Sequence, residues 1–408
     1  MIAPIRTGAL TALGATLAIQ VYASLAATAV SVLAPVIARD FGLSTNLVGV
    51  FVGLVYATAM TAALCSGTFI ARYGAIRVSQ VSVLLSAIGL LLIPLATVLP
   101  AALALLVVAP LITGTGYGPI TPASSQILAR TTPPHRMGLT FSVKQTGVPA
   151  GVALGGAVLP ATTLAIGWEA TFIVLALLSV VVALAAQPIR ADLDTMLDRS
   201  RRFTLAATLR PLRKVFANPV LTELTVVSFF YASLQMCLMS FLVVHLTDAL
   251  HWSLVAAGLA LSVATMGGVV GRILWGAVAD RFVRPRVLLG LLGIAAGTCS
   301  IATAYYPVDA PAVLLLVLAA AFGLTAIGWK GVQLAEIARH SPPGEAGATT
   351  GASAFVTFSG VVVGPPLFGA LAAATGSYRG SFVVIGLAIV VCGAWALAAA
   401  LRSSPPSA

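Results

Sequence analysis

The stretch Gly267-Gly-Val-Val-Gly271-Arg272-Ile-Leu-Trp275-Gly276-Ala-Val-Ala-Asp280-Arg281 sets an arginine inside a long apolar helix that runs into an acidic-basic turn. A cation one to two turns inside hydrocarbon costs about 2.5–3.5 kcal/mol on insertion scales, so it needs a partner, a water-filled cavity or a ligand. The surrounding chain is of the same kind. Its 408 residues are 59% hydrophobic and 8% charged, where soluble domains carry about 25% charge. A polytopic, all-α membrane protein is the class this composition allows.

Working outward from Arg272, apolar runs long enough to cross a bilayer, about 20 residues each, fall at 9–37, 45–70, 77–98, 101–129, 139–163, 167–188, 221–247, 252–279, 287–306, 311–338, 347–374 and 380–401. They define helices 1 to 12. The first follows a single Arg6 with no clear cleavage site, which fits a retained helix rather than a signal peptide. Between the sixth and seventh lies the one long polar segment, Gln187 to Asn218, with seven Lys or Arg residues against Asp192, Asp194 and Asp198. It reads as a linker, with room for a surface helix. The expected domains are therefore 1–188, a linker at 189–218, and 219–408.

Lys and Arg in alternate loops set orientation. Arg6, Arg72, Arg77, Arg130, Arg136, the linker cations, Arg281, Arg284, Arg286, Arg339 and Arg402 share one side, against Arg39 and Arg379 on the other. Both termini are thus expected in the cytoplasm, of a cell inner membrane. The net charge of +11 is spread in ones and twos between apolar runs, which excludes a nucleic-acid face. Cys65, Cys237, Cys299 and Cys392 lie in apolar segments without C-x-x-C spacing, so neither a disulfide framework nor a zinc site is indicated. No metal or cofactor is expected. Neither H-E-x-x-H nor G-x-x-x-x-G-K-[ST] occurs, and His135, His245, His251 and His340 are dispersed near helix ends. An enzyme or a sensor is accordingly disfavoured.

The halves repeat. Ala129-Arg130-Thr-Thr-Pro133-Pro134 recurs as Ala338-Arg339-His-Ser-Pro342-Pro343, 209 positions on, and Gly67 and Arg72 recur at that offset as Gly276 and Arg281. Gly138, Gly147, Gly151 and Gly156 recur as Gly351, Gly360, Gly364 and Gly369, 213 positions on. Two parallel six-helix repeats follow, with a binding site expected at their interface.

Gly276-Ala-Val-Ala-Asp280-Arg281-Phe-Val-Arg284-Pro-Arg286 resembles the loop signature of the major facilitator superfamily. The N-terminal copy, Gly67-Thr-Phe-Ile-Ala71-Arg72-Tyr-Gly74-Ala-Ile-Arg77, keeps the glycines and bases but has Ala71 where the family usually has Asp. With twelve helices, the linker and the repeat, this resemblance covers essentially the whole chain. It implies a transporter in which Gly67, Arg72, Gly74, Gly276, Asp280 and Arg281 form the gating loops. Phe141-Ser-Val-Lys-Gln-Thr-Gly-Val-Pro-Ala-Gly151 and Gly328-Trp-Lys-Gly-Val-Gln-Leu-Ala-Glu336 look like the cyanate-permease-like and anion-transporter groups. Arg272 is similarly placed to the anion-binding arginine of the oxalate/formate and monocarboxylate branches. The latter often carry an aspartate four residues earlier, where Gly268 stands here, so their proton-coupling pair does not carry over. Gly147-Val-Pro149-Ala-Gly151 and Gly364-Pro365-Pro366 resemble the antiporter signature imperfectly and read rather as close-packing or hinge segments.

Three cations lie within helices. Lys144, Arg272 and Lys330 stand roughly 8, 10 and 12 Å from the cytoplasmic helix ends at 1.5 Å per residue. Lys144 could snorkel, Arg272 could bond carbonyls of a neighbouring helix, and Lys330 could pair with Glu336 or the backbone. Against those readings, the repeat offsets map Arg272, Lys330 and Lys144 onto Ala63, Thr121 and Thr357, so the scaffold itself demands no cation there. The acidic residues all lie at helix ends or in loops, Glu336 and Asp309 included. The missing negative charge is then the substrate's. Gln20, Tyr22, Tyr117, Tyr231 and Gln235 could add neutral donors and an apolar wall. The expected function is a monomeric secondary transporter of a small organic anion, a carboxylate above all. Its coupling would run through protons, by way of the substrate or His245, or through a counter-anion. The alternative is a multidrug or metabolite exporter of the same fold.

Overall fold

The structure is a computed structural model, and it describes residues 8–43, 47–99, 102–195, 197–200, 203–308 and 311–402. Arg6, Arg201, Arg202 and Asp309 lie outside the described residues. Among the described residues, twelve helices are long and apolar enough to span a bilayer: Ala9–Asp40, Gly49–Tyr73, Ala75–Val98, Ala102–Thr131, Pro134–Ile166, Trp168–Ala185, Pro219–Leu250, Ala256–Arg281, Pro285–Ala304, Ala312–His340, Ala346–Thr375 and Tyr378–Arg402. Each covers one run drawn from the sequence, with ends moved by at most five residues. No strand occurs among the described residues. Lipid offers no hydrogen bonds, so an all-helical chain is one of only two ways to satisfy the backbone internally. The linker contributes a helix of its own, Leu205–Ala217, whose first turn is capped by Thr204 Oγ1 accepting from Ala207 N at 3.1 Å.

The chain packs as two compact units. One holds residues 1–132, 144–218 and 338–355, and the other holds 133–143, 219–337 and 356–408. Helices 3, 6 and 12 turn rows of Leu, Ile and Val outward, such as Val81, Leu84 and Ile88, or Leu177, Val181 and Leu184, or Val384, Leu387 and Val391. Such an apolar exterior suits lipid and would be a liability in water. Lipid tails give helices no hydrophobic reason to associate, so small residues supply the contact instead. In the second unit helix 9 meets helix 12 through Gly290, Gly297, Gly386 and Gly393, each facing backbone atoms of its partner helix.

Three spans are interrupted. Helix 4 runs as Ala102–Tyr117 and Ile120–Thr131, helix 5 includes Met137–Gln145 and Gly147–Ile166, and helix 10 runs as Ala312–Ala326 and Lys330–His340. The breaks in helices 4 and 10 fall at equivalent places, since Tyr117 plus 209 is Ala326. Pro119 lacks an N–H at the first break, and Gly328 sits in the second. A broken helix frees backbone carbonyls inside the membrane, and these must find donors. That demand organises the site.

Candidate functional site

Helices 8 and 10 approach until their backbones nearly touch. A Cβ on Gly323 would stand 1.7 Å from the Ala264 carbonyl oxygen, and one on Gly271 would stand 2.4 Å from that of Leu324. This closeness lets helix 8 side chains reach the carbonyls freed by the helix 10 break. Trp275 Nε1 donates to Leu324 O at 2.8 Å and Arg272 Nε to Ile327 O at 3.4 Å, while Trp329 Nε1 donates to Ala326 O at 3.0 Å. Arg272 is 4% exposed. The carbonyl-bonding role foreseen for Arg272 is therefore present, though Nε is only one of its five donors.

Lys330 opens the second half of helix 10. Its Nζ donates to Gln333 Oε1 at 3.2 Å and stands 4.8 Å over the Trp329 ring, so Gln333 takes the place considered for Glu336. Gln333 is itself buried and donates from Nε2 to Leu224 O at 3.4 Å. Arg272 bonds the carbonyl of Ile327, three residues before Lys330, so both cations border the helix 10 break. The structure thus brings these two predicted residues together. Tyr231 packs edge-on to Trp329 at 5.5 Å, but its hydroxyl donates to Leu289 O of helix 9 at 2.8 Å. Gln235, one turn on, is half-buried. His245 lies apart from this group, its Nε2 3.2 Å from Thr303 O and its ring against Phe382.

The third cation belongs to the other unit. Lys144 is 1% exposed, which overturns the snorkelling alternative. Its Nζ donates to Gln20 Oε1 at 2.7 Å and to Thr121 Oγ1 at 3.4 Å, and Thr121 also donates to Gln20 at 3.3 Å. Thr121 is the repeat equivalent of Lys330 and stands just past the helix 4 break, so each unit sets a cation beside the start of a second half-helix. Tyr22 turns its hydroxyl to Leu175 O of helix 6 at 3.1 Å, and Tyr117 packs edge-on to Tyr56 at 6.3 Å.

The two loop copies differ in their capping. Asp280 accepts from Gly138 N at 2.8 Å and Leu139 N at 2.7 Å, two of the amides at the start of helix 5. An aspartate here meets both the orphan donors and the positive end of the helix dipole. Gly276 allows the approach, since a Cβ on it would stand 2.5 Å from Ser142 Oγ. Arg281 is exposed, Arg284 donates to Ala400 O at the end of helix 12, and Arg286 pairs with Glu223. In the N-terminal copy Ala71 can accept nothing through its side chain. At the start of helix 11, Gln126 of helix 4 accepts from Gly347 N at 2.7 Å and donates to Gly344 O at 2.8 Å. Gln126 thus caps the start of helix 11.

Sequence reading missed Gln126, and no spacing marks it, because it comes from a different helix. It missed Asp194 too, a linker residue whose carboxylate accepts from Ile76 N at 2.9 Å and Arg77 N at 3.0 Å and so caps helix 3. Burial raises the Asp194 carboxyl above the usual carboxylate range, while those two amides pull it down. Gly74 has φ +92 and a Cβ on it would stand 2.1 Å from Asp194 Cγ, so glycine is required twice over. Arg72 is exposed over the Tyr73 ring, and Gly67 lies against Ala348.

Comparison with known proteins agrees with this architecture. Rat monocarboxylate transporter 13 is 33% identical over 145 residues, which is 36% of this chain and 33% of the rat protein. The chain thus matches about a third of that relative's length. The human organic anion transporter MFSD10 superposes with a TM-score of 0.74 at 16% identity, covering 96% of this chain and 100% of that one. The E. coli fucose:proton symporter FucP superposes with a TM-score of 0.72 at 14% identity, covering 98% of this chain and 100% of that one. At such identities these two show the fold alone. The family model for the Major Facilitator Superfamily matches residues 16–365 and 224–408. The chain belongs to the Major Facilitator Superfamily.

Proposed function

We propose that this transporter moves a small organic carboxylate across the inner membrane by alternating access, as a monomer with both termini in the cytoplasm. The observation that carries the reading is Arg272, buried on helix 8 and bonded to Ile327 O at the helix 10 break, with Lys330 opening the half-helix that follows. Two cations at one helix break within apolar spans are costly, and an anionic ligand relieves the cost. Arginine can grip a carboxylate with two parallel donors, and lysine adds a point charge on a mobile stem. Lys144, bonded to Gln20 and Thr121, supplies a third positive group on the N-terminal repeat. Rat monocarboxylate transporter 13 and the human organic anion transporter MFSD10 are named for monocarboxylates and organic anions. They support the substrate class, while the fucose symporter of the same fold shows that fold carries no substrate by itself.

Coupling is by protons or by exchange for a second anion. A buried carbonyl-bonded arginine with no aspartate at Gly268 favours a proton carried on the substrate's own carboxyl. Thermal unfolding of the purified full chain against mono-, di- and aromatic carboxylates tests the reading. Several carboxylates are expected to raise the midpoint and their amides are not. Stabilisation by cationic or neutral drugs, with none by any carboxylate, would instead favour the exporter alternative.

A further inference from the structure

A groove of about 880 Å³ opens between helices 2 and 3 beneath the linker. That size is within the range of small-molecule pockets, roughly 300–1,000 Å³. Four arginines line it, Arg72, Arg77, Arg190 and Arg199, and no acidic side chain among the described residues does. Below them the lining turns apolar. Val78, Val81 and Leu85 descend helix 3, and from Arg77 to Leu85 the groove runs roughly 12 Å along the helix axis. Phe69 and Tyr73 of helix 2 and Phe203 of the linker flank its mouth, all exposed.

Of the nearby linker acids, Asp194 meets one groove arginine and none lines the groove. Asp194 caps helix 3 and meets Arg190 at 3.6 Å, and Asp198 accepts from Ser200. Arg190 Nε is buried and makes no hydrogen bond. Lone surface arginines would be ordinary for this side of a membrane protein. Four around one apolar channel are a different pattern, a cationic head over a hydrocarbon slot.

We infer that this groove binds an anionic phospholipid, its phosphate headgroup among the four arginines and one acyl chain along Val78, Val81 and Leu85. Because Asp194 and the loop copy Gly67–Arg77 share these elements, the lipid would fasten the linker to helices 2 and 3. The site is separate from Arg272 and Lys330, and its occupancy does not depend on which substrate is carried.

The test uses the purified full chain, titrated with dioleoylphosphatidylglycerol, with dioleoylphosphatidylcholine and with inorganic phosphate, read by native mass spectrometry and thermal unfolding. Phosphatidylglycerol is expected to bind at least about fivefold more tightly than phosphatidylcholine, and each of Arg77→Gln and Arg199→Gln is expected to cost about fivefold in that preference. Arg213→Gln, on the exposed linker helix and outside the groove, should leave it unchanged. Val81→Trp, at an exposed position that tolerates bulk, should abolish phosphatidylglycerol binding while the lipid-free midpoint holds. Equal binding of the two lipids, a preference retained in Arg77→Gln/Arg199→Gln, or stabilisation by inorganic phosphate matching that by the lipid overturns the inference.

Discussion

Arg272 is tied into the fold by its own side chain: Nε donates to the Ile327 carbonyl at the helix 10 break, so its position follows that of helix 10. Tyr231 poses the opposite case. Its ring orients Trp329 and its hydroxyl is held by Leu289, so it acts on the site through Trp329 and Lys330. Tyr231→Phe is expected to lower thermal stability by about 1 kcal/mol, the net worth of one hydrogen bond, and to leave substrate affinity within about twofold. A tenfold loss of affinity at unchanged stability would show that the phenol touches substrate. These distinctions were not legible in the sequence. Composition and depth single out Arg272 and Lys330, but which tyrosine hydroxyls are already taken depends on which carbonyl a neighbouring helix brings within 3 Å.

At the scale of elements, the broken helices and the capped helix starts explain why polar residues recur where they do. The repeat pointed to the equivalence of helices 4 and 10, and Pro119 and Gly328 marked the interruptions in retrospect. What the repeat could not supply was the exchange of partners. Helix 5 is capped by Asp280 of the matching loop, whereas helix 11 is capped by Gln126 from helix 4, and position 71 is alanine. Gln126→Ala strips the cap from Gly347 N and should lower the unfolding midpoint by the equivalent of about 1 kcal/mol. Adding Ala71→Asp to that variant should restore it, since a carboxylate at 71 regains the family's pattern. An unchanged midpoint in Gln126→Ala would mean that the helix 11 start draws its stability from other contacts, Lys214 with Glu345 being the nearest candidate at 2.6 Å.

For the whole molecule, the twelve spans were readable to within a few residues because hydrocarbon admits so few backbone solutions. The chain is a multi-pass membrane transporter, not an enzyme. Topology follows from charge: a cysteine at Ser200 in the linker should react with a membrane-impermeant thiol reagent only from the cytoplasm, and one at Ser377 only from outside. Reversed labelling would contradict the proposed orientation. Transport itself tests the central claim most directly. In proteoliposomes, Lys330→Ala should cut initial uptake of a stabilising carboxylate by at least about tenfold, matching the loss of a charge-assisted hydrogen bond worth about 1.5–3 kcal/mol. Its unfolding midpoint without substrate should hold or rise, since a cation costly to bury has been removed. Arg272→Lys should lower uptake similarly, because the bidentate grip is lost while charge is kept. Uptake of every carboxylate at wild-type rates by both variants would contradict the account.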